Sequence, residues 1–316
     1  MNSKERREIL LRKYIEEVKQ FPNVFPNGYD DEGKGSFICP LCLRILNIAQ
    51  LGEQVNNYIT IEHIPPENLG GKPLILTCKD CNSTCGHDLD VYLRNEMEHL
   101  EQNFFNGAKG HYSKWLSREG VEMNGIIRED VDGTIDIEIK KKLNSPIFFD
   151  KFVEGIKLSN GDLHLDGKIK LGDHRRKKDV ACVAMLKSAY LYAFYKLGYK
   201  YILTTKLDAI RKQILNSENV IIPQIFLCLN TDNIDQNMQD GLYPATIDGM
   251  IVFAVLLTLK LPNSNYLHRF TTILPMLGDR DVDLYDCLDT THEGKETVKV
   301  SFIRNVDIGK LLQDVL

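Results

Sequence analysis

The stretch "TIEHIPPENLGGKPLILTCKDCN", Thr60 to Asn82, decides how this chain is read. Tyr58 to His63 runs Tyr, Ile, Thr, Ile, Glu, His, an alternation rich in β-formers that predicts a short strand. "ENLGGKP" supplies a turn, and Leu74 to Thr77 predicts a second strand. From Asn82 onward Leu89, Leu93, Met97 and Leu100 recur at helical spacing. The local order is strand, turn, strand, cysteine knuckle, helix. Asp88 and Asp90 fall where carboxylates suit the first turn of such a helix.

The knuckle has a partner upstream. The chain has eight cysteines. Five lie between Cys39 and Cys85, and they include the pairs Cys39-x-x-Cys42 and Cys78-x-x-Cys81. Paired knuckles in a reducing compartment favour a metal over disulfides. Four thiolates at roughly 2.3 Å close a tetrahedral shell, so a zinc ion held there is structural. The competing reading is four free buried thiols. Cys182, Cys228 and Cys287 sit in apolar settings and read as small core residues.

Such a zinc pins the base of the hairpin to the start of the helix and draws Glu62-His63 toward Asn82. A carboxylate and an amide oxygen are hard ligands suited to Mg²⁺ or Mn²⁺. An imidazole titrating near neutrality can deprotonate water. The bland alternative is a polar pair on a strand end beside a zinc ribbon.

The elements "CPLC", "TIEHIPPENLGGKP" and "LTCKDCNSTCGHDLD" together resemble the HNH endonuclease superfamily, over roughly Phe37 to Leu93. The likeness is to the branch with a Glu-His pair, a Gly-Gly turn and a terminal Cys-x-x-Cys-Asn. The resemblance implies a ββα-metal fold. It implies His63 as general base, Glu62 and Asn82 as ligands of one catalytic Mg²⁺ or Mn²⁺ ion, and Cys39, Cys42, Cys78 and Cys81 as ligands of one structural zinc. His87 is a further candidate ligand, with an exposed helical histidine as its alternative. The family's middle Asn, which orients the base, has no counterpart in "GGKPLILT"; Lys72, Thr77, Asn68 and a backbone carbonyl are the candidates to replace it.

Beyond the motif the chain reads as α+β. Ser3 to Gln20 predicts a helix, and "FPNVFPNGYDDEGKG" a linker. "GIIREDVDGTIDIEIKKKL" predicts a hairpin about Asp132-Gly133, and a second strand pair is expected around Asn160-Gly161. Lys177 to Tyr195 predicts a helix with a wide apolar face formed by Val180, Val183, Ala184, Leu186, Lys187, Tyr190, Leu191 and Phe194. Asp208 to Asn216 predicts another helix. Val220 to Leu229, Met250 to Leu259, "HRFTTILPML" and "KVSFIRNV" predict strands. The expected organisation is an N-terminal helix and linker (1–36), a zinc-stapled HNH core (37–108), and a larger C-terminal α+β domain (109–316).

A net charge of −5 excludes a chain that coats nucleic acid with its whole surface. The candidates for local phosphate contacts are Lys72, Lys79, Arg175, Arg176, Lys177 and Lys178. The charged N-terminus lacks a signal-peptide core. The longest apolar run, Met250 to Leu259, is half the length of a membrane span. A cytoplasmic protein with no membrane partner is therefore expected. DNA is the expected substrate, with RNA left open, and the C-terminal domain is a candidate seat for a homo-oligomer or a regulatory partner. The resemblance also implies a place in restriction or antiphage defence. The rival readings are a non-catalytic zinc ribbon that binds nucleic acid or protein, and a nuclease effector gated by a ligand at the C-terminal domain.

Overall fold

The computed structural model describes residues 3–21, 35–47, 58–103, 111–117, 120–129, 135–154, 157–159, 162–164, 167–171, 177–219, 221–222, 229–230, 238–247, 249–262, 264–276 and 300–303. They form two compact units of mixed helix and strand. The first comprises Met1–Arg94, Lys177–Leu259 and His268–Leu316; the second comprises Asn95–Arg176 and Lys260–Leu267. This division differs from the expected boundary at 108. A hairpin and one helix bury too little apolar surface to stand alone, and a later helix completes their core.

The first unit opens with α1 (Ser3–Val18), then the strand pair β1 (Ser36–Ile38) and β2 (Ile45–Asn47). The predicted hairpin follows as β3 (Ile59–Ile64) and β4 (Lys72–Cys78), paired antiparallel. The helix begins earlier than predicted, as α2 (Lys79–Cys85), widens into a π-helical turn at Gly86–Asp90, and continues as α3 (Val91–Asn103).

Both glycines of the turn between β3 and β4 have a steric reason. Gly70 has φ +85°, a left-handed conformation that favours glycine. A Cβ on Gly71 would fall 1.5 Å from the Pro65 carbonyl oxygen. Gly71→Ala is therefore expected to destabilise the protein by about 3 kcal/mol, at the upper end for overpacking. Urea unfolding monitored by circular dichroism measures it, and an unchanged midpoint would refute the close approach.

The second unit contains the end of α3 and a four-stranded antiparallel sheet. Its strands are β5 (His111–Ser117), β6 (Glu122–Glu129), β7 (Ile135–Ile139) and β10 (Gly167–Leu171), in the order β10-β5-β6-β7. The expected hairpin is β6–β7; its turn, Asp132-Gly133, lies outside the described residues. α4 (Pro146–Glu154) was not foreseen, and β8 (Lys157–Ser159) and β9 (Asp162–His164) are the strands expected around Asn160-Gly161.

The chain then returns to the first unit with α5 (Lys178–Leu197), the predicted apolar helix. α5 is long and apolar enough to cross a membrane by composition, yet 78% of its apolar window is buried inside the protein. It packs against the π-helical turn, β3 and β4, and also against later elements: a helix at Asp208–Leu215 and strands at Gly241–Ile247, Met250–Leu259 and His268–Pro275. After α6 (Tyr199–Ile202) and α7 (Asp208–Leu215) comes an antiparallel sheet of order β11-β14-β13-β12-β15. Its strands are β11 (Leu229–Asn230), β12 (Gly241–Ile247), β13 (Met250–Leu259), β14 (His268–Pro275) and β15 (Val300–Phe302). β13 spans the run predicted as a buried strand. Most of the strand expected over Val220 to Leu229 lies outside the described residues.

Tyrosines from α5 and α6 clamp the first knuckle. The Tyr199 hydroxyl donates to the Ile38 carbonyl at 2.6 Å and accepts from the Ile38 N–H at 3.1 Å. The Tyr190 hydroxyl donates to the Pro40 carbonyl at 2.7 Å. Tyr14 of α1 stacks on Phe194, with ring centroids 4.9 Å apart, and also meets Phe37 and Tyr199. Buried hydroxyls need partners, and here those partners are the backbone that carries Cys39 and Cys42.

Candidate active site and metal cage

Cys39 and Cys42 lie in the tight turn after β1, where Leu43 N–H donates to the Cys39 carbonyl. Cys78 ends β4 and Cys81 lies in α2. The four sulfurs lie within 4.8 Å of one another. Cys42 Sγ and Cys78 Sγ are 3.8 Å apart, and a tetrahedron with roughly 2.3 Å metal–sulfur bonds has edges of about 3.8 Å. The Cys78 N–H also points at Cys39 Sγ, at 3.4 Å. Hydrogen bonding, first with Cys39, holds the Cys42 thiol low and pushes Cys81 up. A divalent ion removes that conflict by deprotonating all four. The donor set fits zinc.

Asn82 sits one residue past the cage. Its Nδ2 donates to Thr60 Oγ1 at 3.0 Å and to the Ile61 carbonyl at 3.1 Å. The amide thereby braces α2 against β3, next to Glu62. Between Glu62 and His63 the ladder shifts: Glu62 pairs with Ile75, but His63 pairs with Pro73, which leaves Leu74 as the extra residue. Such a bulge re-aims consecutive side chains. His63 is half-buried.

Glu62 is only 5% exposed. Its Oε1 accepts from Lys187 Nζ at 2.9 Å, and the same ammonium donates to Asp90 Oδ2 at 2.9 Å. Burial raises the Glu62 pKa, against the pull of Lys187. Burial opposes the Lys187 charge too, yet Glu62 and Asp90 more than offset it, and its pKa lies above the ordinary lysine range. Cys85, beside this cluster, is pushed up to about 12, chiefly by burial. Asp90 thus ends the π-helical turn as an ion-pair partner rather than capping a helix N-terminus.

The remaining candidates are dispersed. The His87 side chain is 89% exposed and pairs through Nδ1 with Asp88 Oδ1 at 2.8 Å. Lys72 is exposed, and Lys79 lies over the Tyr58 ring. Lys177 is held by Glu218 at 2.6 Å and lies over Tyr92; Lys178 is exposed. Arg175 and Arg176 lie outside the described residues. Of the residues considered in place of the middle Asn, Asn68 Oδ1 and Thr77 Oγ1 are buried with no hydrogen-bond partner among the described residues. Among those residues, only the four cysteines bring three or more His, Cys, Asp or Glu ligand atoms together. The Glu62 carboxylate is engaged by the Lys187 ammonium.

Residues 52–98 match the family model described as HNH endonuclease. This segment is an HNH endonuclease domain. Comparison with curated proteins and with solved structures gave no match. The match covers the hairpin, the second knuckle and the helix. Cys39 and Cys42 lie outside it, as does Lys187, the residue that engages the HNH domain's Glu62. Reading the sequence missed the Glu62–Lys187–Asp90 cluster. Its only signal was a lysine in the apolar face of α5, and lysines are seldom buried unless paired.

Proposed function

We propose that this protein is an endonuclease that hydrolyses phosphodiester bonds of DNA, with His63 as the general base. The observation that carries the reading is the bulge at Glu62/His63, set in an HNH domain whose strand is braced by Asn82 and anchored by a four-cysteine cage. In this reading the His63 imidazole takes a proton from water as the oxygen attacks phosphorus. The bond from phosphorus to the leaving oxygen breaks, and that oxygen is protonated. The cage holds one structural zinc. A requirement for one Mg²⁺ or Mn²⁺ ion belongs to the same proposal, as do a cytoplasmic setting and a role in restriction or antiphage defence. Phosphate contacts give affinity rather than sequence information, so a nuclease of modest specificity is expected.

A specific observation favours a second reading. A buried ammonium on Glu62 suits a zinc module that binds nucleic acid without cutting it. One assay separates the two. Purified full-length protein is incubated with supercoiled plasmid, single-stranded DNA and RNA over a Mg²⁺ and Mn²⁺ series. Metal-dependent nicking or cutting of the plasmid is expected. Binding to any of the substrates with no cleavage at any ion concentration would overturn an ungated nuclease and favour the second reading.

A further inference from the structure

Lys187 is where a cation belongs, and it is already a cation. Its Nζ lies 2.9 Å from one oxygen of Glu62 and 2.9 Å from one oxygen of Asp90. Two carboxylates from separate elements therefore converge on one positive centre, as ligands of a metal do. The lysine side chain is only 1% exposed and emerges from the middle of an apolar helix. Apolar packing cannot be its purpose there, since a lysine is buried only when its charge is met. The balance is uneven as well: two carboxylates face one ammonium, and Asp90 Oδ1 is buried with no partner among the described residues. Hard oxygen donors with surplus negative charge attract a divalent ion, while a fixed ammonium a few ångströms away repels it.

We infer that Lys187 is an internal competitor for a divalent cation at Glu62. Built into α5, outside the segment that carries the nuclease motif, it holds Glu62 in an ion-free arrangement. The inference rests on the nuclease reading for its purpose, but not for its test.

The test is Mn²⁺ binding to zinc-loaded full-length protein without nucleic acid, followed by the electron paramagnetic resonance signal of free Mn²⁺. Lys187→Met keeps the side-chain volume and removes the charge. It is expected to bind Mn²⁺ at least tenfold more tightly than the wild type, and adding Glu62→Gln should abolish the gain. Lys187→Gln keeps an N–H donor to the carboxylates and serves if the Met variant fails to fold. Unchanged or weaker Mn²⁺ binding in the neutral variant overturns the inference. So does failure of both variants to fold, which would make Lys187 a structural counter-ion. A variant that gains Mn²⁺ but belongs to a protein that cuts nothing would sink the nuclease reading alone. Cleavage by the wild type with no gain in the variant would sink this inference alone.

Discussion

Removing metal from the four-cysteine cage is expected to unfold the HNH domain and lower the stability of the whole first unit. The cage is the crosslink between the β1–β2 knuckle and the junction of β4 with α2. Among the described residues β3 and β4 form a two-stranded sheet, and an isolated hairpin is marginal in water. Structural zinc contributes on the order of 10–16 kcal/mol in small metal-folded domains, as much as a whole domain's net stability. The tyrosine clamps offset part of that loss, each worth about 1 kcal/mol. Chelation is expected to lower the thermal midpoint and to expose Cys39, Cys42, Cys78 and Cys81 to alkylation. Cys78→Ser should act in the same direction. Purified protein that contains no zinc and melts unchanged in chelator would remove the cage from the account.

His63→Ala is expected to reduce cleavage by roughly 10²–10⁴-fold, the range for loss of a general base. The effect should fall on turnover, with zinc content and melting preserved. His63 is half-buried, at a bulge rather than in the core, and alanine there sacrifices only a fraction of a kcal/mol of strand preference. The Asn82 brace reaches Thr60 and Ile61, not His63, so the hairpin keeps its anchor. Equal rates in the mutant and the wild type would mean that another group activates water.

Local pattern carried much of this structure. β13 coincides with the apolar run Met250 to Leu259, and α5 differs from its predicted span by a residue or two at each end. The paired Cys-x-x-Cys knuckles foretold a cage whose sulfurs do converge. What sequence pattern could not show was interaction across distance. The Glu62–Lys187 pair spans 125 positions and the Tyr199–Ile38 pair 161, and neither leaves a periodic trace. β12 was missed because Pro244 interrupts an otherwise strand-like run. Glu62 read as a metal ligand because Lys187 of α5, which meets its carboxylate, lies 125 positions away, outside any window around it. His87 was a candidate ligand with an exposed helical histidine as its alternative, and in the π-helical turn its side chain is in solvent.

The hydrogen bonds from Tyr199 back to Ile38 set an order of events during synthesis. The knuckle strand leaves the ribosome first, but the residue that clamps it follows 161 positions later. At about 5–20 residues per second that interval is roughly 8–30 s. For 125 of those positions, the segment bearing Glu62 and His63 exists without the lysine of α5 that meets Glu62. The nascent chain therefore carries a half-built motif for much of its translation, and truncation before α5 leaves that motif permanently incomplete.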